Sequence, residues 1–236
     1  MNAITSTVKL HLNQRFNTFI TPLLIAGTVA LISVGISLVF WRAGSLPGTP
    51  GWIQGSQANP GIVYALVGFL VYFGVASVAT TFPFALTLGT TRRAFVTGTL
   101  AWYALTAAYI AVIFAVLNAL EQVTDHWFVG FYIFDVHVLG AGDTTRLLLT
   151  VFLGVLTALT IGGVFGASWV RFGARGPQFI AVGLLLVVGI ALLVVIADLA
   201  ELIAAFELWW LVVAAGAVIV ASAVGSWLLL RPAIVR

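Results

Sequence analysis

Six stretches, near 19–40, 61–82, 96–119, 147–170, 178–198 and 208–230, are each long and apolar enough to cross a bilayer. A hydrocarbon core about 30 Å thick takes roughly 20 residues of helix. Inside it, an unsatisfied peptide group costs several kcal/mol, so each stretch must close its hydrogen bonds within itself as a helix. Period-two alternation, the mark of a barrel strand, is absent. The expected fold is an all-α membrane protein, a six-helix transmembrane bundle with residues 1–236 as a single domain. With 62% apolar and 7% charged residues, a water-soluble globule of this sequence could not cover itself with polar surface. The first stretch is long enough to span and runs into Trp41-Arg42, so it is read as a retained helix and not a cleaved signal peptide.

Loop charges orient the bundle, because cytoplasmic segments retain Lys and Arg. Lys9, Arg15, Arg92, Arg93, Arg171, Arg175, Arg231 and Arg236 fall on one side, against Arg42 and Arg146 on the other. The acids Glu121, Asp125, Asp135, Asp143, Asp198, Glu201 and Glu207 all share the second side. Both termini are therefore expected in the cytoplasm. Trp41, Trp127, Trp169 and the Trp209-Trp210 pair fall where spans meet headgroups and are expected as anchors. Gly162 and Gly166 form a small-xxx-small pair that would admit another helix.

Ahead of the first span, Ile4, Val8, Leu12 and Phe16 recur every four residues, while Lys9, Asn13, Gln14 and Arg15 take other faces. This predicts an interfacial amphipathic helix over 1–17, either an elbow bearing on a cytoplasmic partner or a passive anchor. Segment 42–60, with Pro47, Pro50, Pro60 and several glycines, is expected to be irregular, exposed and without chemistry. Segment 121–146 mixes acids with Trp127, Phe128, Phe131, Tyr132, Ile133 and Phe134, which suits a piece lying flat on the outer leaflet or capping the bundle as a lid. His126 and His137 share it with Glu121, Asp125 and Asp135, but the spacing matches no zinc motif; solvated loop residues are expected and no metal site is assigned. Asp198 and Glu201, three apart at the outer end of the fifth helix, either line a vestibule or stay hydrated.

The connection between the second and third spans reads Phe82-Pro83-Phe84-Ala85-Leu86-Thr87-Leu88-Gly89-Thr90-Thr91-Arg92-Arg93-Ala94-Phe95. Pro83 breaks the incoming span, Gly89 permits a left-handed turn, and Thr90 or Thr91 can cap the next helix. Positive-inside punctuation alone would need the arginines but not the apolar short helix before them. This run resembles the segment after the second span in many bacterial permeases of ATP-binding-cassette transporters of the type-2 exporter class. The N-terminal helix, six spans, inward termini and chain length agree with that family in outline. The resemblance implies a coupling helix that docks on a separate nucleotide-binding subunit through Leu88, Gly89, Thr90, Thr91, Arg92 and Arg93. It also implies a second copy of the chain or a homologue as dimer partner, and a place in the bacterial cytoplasmic (inner) membrane, with ATP and Mg bound by the partner ATPase. Family members often carry re-entrant helices between the fifth and sixth spans; here only about 199–207 is available for them.

A P-loop needs a lysine after a glycine-rich turn, and the one lysine is Lys9, with no glycine around it. No cofactor is expected in this chain, and it is not expected to be an enzyme by itself. If it transports, Thr80, Thr81, Thr106, Thr157, Thr160 and Ser168 are candidate lining of the translocation path; their alternative is a bond to the carbonyl four residues back in the helix. Such a lining suits an amphipathic or lipid-like cargo. An ion-coupled secondary carrier would place ionisable groups at mid-membrane, where the spans have none. A membrane-embedded enzyme would need paired acid-base or metal-binding groups near a span, whereas His11, His126 and His137 lie outside the spans. A non-transporting structural or immunity-type membrane subunit stays open. The +3 charge is scattered in short clusters, so lipid is an expected partner and nucleic acid is not.

Overall fold

The structure, a computed structural model, describes residues 3–198, 201, 204, 205 and 207–233. Arg236 and much of the 199–207 connection lie outside the described residues. Among those described there are helices and no strand. They are α1 (Ala3–Leu12), α2 (Thr21–Arg42), α3 (Pro50–Gln57), α4 (Gly61–Ala79), α5 (Thr81–Thr87), α6 (Arg92–Val123), α7 (Thr144–Phe172), α8 (Arg175–Val195) and α9 (Leu208–Leu230).

Six helical runs are long and apolar enough to cross a membrane: Phe16–Arg42, Pro50–Thr87, Arg92–Val123, Thr144–Phe172, Arg175–Asp198 and Trp209–Leu230. Each expected span falls on one of them. On α8, Leu184, Leu185, Leu186, Val187 and Val188 are consecutive and all exposed, which takes in every face of a helix that turns 100° per residue. A helix apolar on all sides cannot face water. By the length, composition and exposed surface of its helices, the chain is a multi-pass membrane protein.

Backbone contacts divide the chain into two compact units, one of Met1–His11, Val71–Leu100 and Thr157–Arg236, the other of Leu12–Leu70 and Ala101–Leu156. In the first, Val78, Phe82, Ala85, Phe95, Ala167 and Leu230 form a buried cluster. Phe82 and Phe95 meet edge to face at 5.1 Å, an arrangement contributing about 0.5–1.5 kcal/mol beyond the area it buries. Here α4 and α7 touch backbone to backbone. A Cβ on Gly162 would run into the Val71 carbonyl and the Gly74 backbone, and one on Gly166 would lie 2.6 Å from the Val75 oxygen. The Gly162/Gly166 pair thus admits α4 to van der Waals range.

The N-terminal helix is shorter than the expected 1–17. It stops at Leu12, and Phe16 opens the first span through a turn of π-helix, Phe16–Ile20. Its buried residues are Thr7 and His11, not the apolar stripe. Thr7 packs where Gly98 lacks a side chain, and His11 Nε2 is 2.9 Å from Thr99 Oγ1 beside the Phe95 ring. Ile4 stays exposed. Periodicity alone could not have shown this, because it reports which face is apolar and not which face meets the protein.

In the second unit the expected irregular segment 42–60 contains α3. Thr49 accepts a bond from Trp52 N at 3.4 Å and Pro50 occupies the first turn, an ordinary helix start that the prolines and glycines obscured. Trp52 is buried, and its indole N–H donates to the Gly130 carbonyl at 2.6 Å. Tyr109 on α6 donates to the Phe19 carbonyl at 3.2 Å, with the two rings edge to face at 5.0 Å.

Candidate functional site

The turn between α4 and α6 is assembled by local rules. Pro83 has no N–H to give the Ala79 carbonyl and its ring crowds that oxygen, so α4 ends at Ala79 and α5 starts at Thr81. Thr81, Phe82 and Ala85 form the buried face of α5. The other face bears Phe84 and Leu88, 53% and 63% exposed, one helical turn apart. Gly89, with φ +80°, closes the helix: its N–H donates to Leu86 O and that of Thr90 to Ala85 O, each at 3.0 Å. Thr91, and not Thr90, caps α6, accepting from Ala94 N at 3.2 Å.

The six expected contact residues divide by their surroundings. Leu88, Gly89, Thr91 and Arg93 are exposed, while Thr90 and Arg92 are half-buried. The Arg92 guanidinium donates to the Arg231 carbonyl and, at 2.8 Å, to the Ala233 carbonyl, tying down the end of α9. Of the two adjacent arginines, Arg93 is the exposed one, and its side chain makes no hydrogen bond to a described residue. Phe84 is an exposed apolar neighbour that reading the sequence missed; its four-residue spacing from Leu88 was the available signal.

Of the candidate path residues, Thr80, just past the end of α4, bonds the carbonyl four residues back, Ala76 O, at 2.7 Å, whereas Thr160 and Ser168 bond carbonyls three back, Thr157 O at 3.0 Å and Phe165 O at 2.7 Å. Thr81 belongs to the buried face of α5. The hydroxyls of Thr157, in the same unit, and of Thr106, in the other, are buried without a partner among the described residues.

The 121–143 segment is organised by one carboxylate. Glu121, in the last turn of α6, is fully buried. Its Oε1 accepts from the N–H groups of Ile133 (2.9 Å) and Asp135 (3.2 Å), and its Oε2 from Phe134 N (2.8 Å) and the Trp127 indole (3.1 Å). Three successive peptide N–H groups thus cradle the acid, and Phe131, Ile133, Phe134, Val136 and Leu139 are buried around it. Asp125, His126, Trp127 and Phe128 all have positive φ, a left-handed turn costing non-glycine residues about 1 kcal/mol or more each. Trp127 serves here as a donor to Glu121, a role its reading as an anchor did not include.

The expectation of solvated acids and histidines in this segment holds for Asp125 and His137, which are exposed, and is corrected for the others: Glu121 and Asp135 are buried and His126 is half-buried, with its Nε2 3.1 Å from Asp135 Oδ2. Desolvation, then the charges of Asp135, Asp125 and Glu121, push the Tyr132 phenol above its ordinary pKa, so it keeps its proton. Among the described residues no three His, Asp or Glu side chains gather as metal ligands. Asp198 and Glu201 are exposed.

Compared with protein-family models, curated proteins and solved structures, the chain finds no match.

Proposed function

We propose that the chain is the transmembrane permease subunit of an ATP-driven exporter in a bacterial cytoplasmic membrane, with both termini cytoplasmic. A separate ATP-binding-cassette subunit binds ATP and Mg and hydrolyses the nucleotide, and a second copy of the chain or a homologue completes the transmembrane dimer. The chain is a moved gate and not itself an enzyme. The observation that carries this reading is the surface of the 84–93 turn. Phe84 and Leu88 present apolar area on a short helix closed at one end by Gly89, and the exposed Arg93 follows in the first turn of a capped α6. A coupling element must pass a rigid-body movement between two bodies, which takes a short, stiff element held by both. Arg92 supplies the hold on this chain's side, and Phe84, Leu88, Thr91 and Arg93 face the motor. The apolar spans, with few polar side chains, suit an amphipathic or lipid-like cargo.

Copurification of the ATPase subunit and stimulation of its turnover test the proposal. Arg93→Glu is expected to weaken assembly at least about tenfold, equivalent to ~1.4 kcal/mol, while Arg93→Lys retains most of it. Unchanged assembly in Arg93→Glu and Leu88→Asp, or cargo movement by the purified chain alone, overturns it.

A further inference from the structure

Residues of α2, the following loop, α3 and Tyr132 line a half-open cavity of about 660 Å3, all within one unit. That volume lies in the range of about 300–1,000 Å3 common to small-molecule sites. Its polar lining is Ser33, Ser37, Ser45, Thr49, Ser56, Asn59 and the Tyr132 phenol; among the described residues no charged side chain lines it. The hydroxyls of Ser37, Ser45, Ser56 and Tyr132 make no hydrogen bond to a described residue, so a donor- and acceptor-rich wall stands ready for a ligand. Trp52 is a buried part of the apolar lining, whereas Ile36 and Phe40 are exposed, one turn apart along α2.

The position on α2 decides what such a wall can hold. Ser33, bonded to Asn59 at 3.5 Å, lies nine residues before the end of the Phe16–Arg42 span, about 14 Å along the helix axis. The cavity therefore runs from the end of a membrane span into its apolar part. A ligand there needs a polar end among the loop hydroxyls and an apolar end beside Ile36 and Phe40. A charged head would find no counter-charge among the described lining residues, whereas a neutral hydroxyl head would find hydroxyl partners.

The geometry points to a binding site for an uncharged, polyhydroxylated amphiphile, with its hydroxyl head among Ser45 and Ser56 at the loop end and its chain leaving between Ile36 and Phe40. Tyr132, a phenol protonated at neutral pH whose pKa burial and acidic neighbours raise further, adds an O–H donor. This site stands whether or not an ATPase drives the chain. Its ligand comes either from the membrane as a resident neutral lipid or from outside as cargo.

A photoactivatable monoacylglycerol, crosslinked to the full-length protein in detergent and mapped by peptide mass spectrometry, tests the site. Labelling is expected within 33–59, competed by unlabelled monoacylglycerol or octyl glucoside and at least about tenfold less by a fatty acid or alkyl ammonium of equal chain length. Gly51 and Gly55 line or adjoin the cavity with open space where a Cβ would go, so Gly51→Leu and Gly55→Leu fill it without a backbone clash. Both should lose the labelling about tenfold with an unchanged unfolding midpoint. Equal competition by charged analogues, label spread over all spans, or wild-type labelling of the two leucine variants overturns the proposal. A neutral lipid extracted stoichiometrically from the purified wild type, and absent from the leucine variants, supports the membrane as source. Probe binding to protein that carries no such lipid supports the site with cargo as source.

Discussion

In the unit built from α1, α5, α9 and the Gly74-bearing part of α4, helices meet where side chains are missing. Gly162 and Gly166 admit α4, and Gly98 admits Thr7 of α1. In the unit built around the 121–143 segment the reverse holds, and one large polar side chain gathers an irregular chain by accepting four N–H groups. Both are answers to the same shortage. Apolar burial gives little preference between partners when lipid is as apolar as a neighbouring helix, so specificity comes from close backbone approach or from hydrogen bonds that water cannot replace. The glycine contacts join regular helices whose own backbone bonds are already made. The carboxylate serves a stretch whose peptide groups have no helix to satisfy them.

The largest test of that contrast is Glu121→Leu. It leaves the Ile133, Phe134 and Asp135 N–H groups buried without an acceptor, and at about 1–3 kcal/mol each the expected loss is about 4 kcal/mol. Limited proteolysis should then cut within 125–143, while cleavage elsewhere is unchanged. Next in size, Gly162→Leu should cost about 2–3 kcal/mol by thermal unfolding in detergent, because its Cβ has only backbone to push against. Gly154→Leu, on the same helix with nothing within 4 Å, is the control and should be near neutral. A larger penalty for Gly162→Leu than for Glu121→Leu would reverse the ranking of the two devices.

The smallest effect is expected at His11, where the glycine-packed unit also buries a titratable group. Desolvation lowers its pKa from 6.5 to about 4. The released helix therefore binds a proton more readily than the docked one: docking is at full strength above about pH 6.5 and weakens as pH falls toward 4. Between pH 7 and 4.5 the loss is about 2 kcal/mol, roughly thirtyfold in the undocked fraction. Reaction of a Thr7→Cys thiol with a thiosulfonate reagent, corrected for reagent rate at each pH, reads it. His11→Gln should flatten the profile. A flat profile with His11 present would show that α1 is held by its glycine contact alone.

The 84–93 turn was legible almost residue by residue, since Pro83, Gly89 and Thr91 act on bonds at most five residues away. What escaped was the engagement of Arg92 with carbonyls some 139 residues later in the chain, and hence the division of labour between the two arginines. The helix α3 is hidden in the sequence because Pro50 looks like a breaker, although in a first turn the missing N–H is no loss. The cradle around Glu121 had no sequence signal: its donors are peptide groups, which every residue type carries.

By itself the sequence determined what is additive along the chain: six apolar lengths, their helical state and the caps and turns that end them. Only the tertiary structure decided which faces meet. Hydropathy sums over residues whatever their neighbours, whereas the pairing of Gly162 with Gly74 and of Glu121 with the 133–135 backbone depends on distances of a few ångströms between segments far apart in the chain.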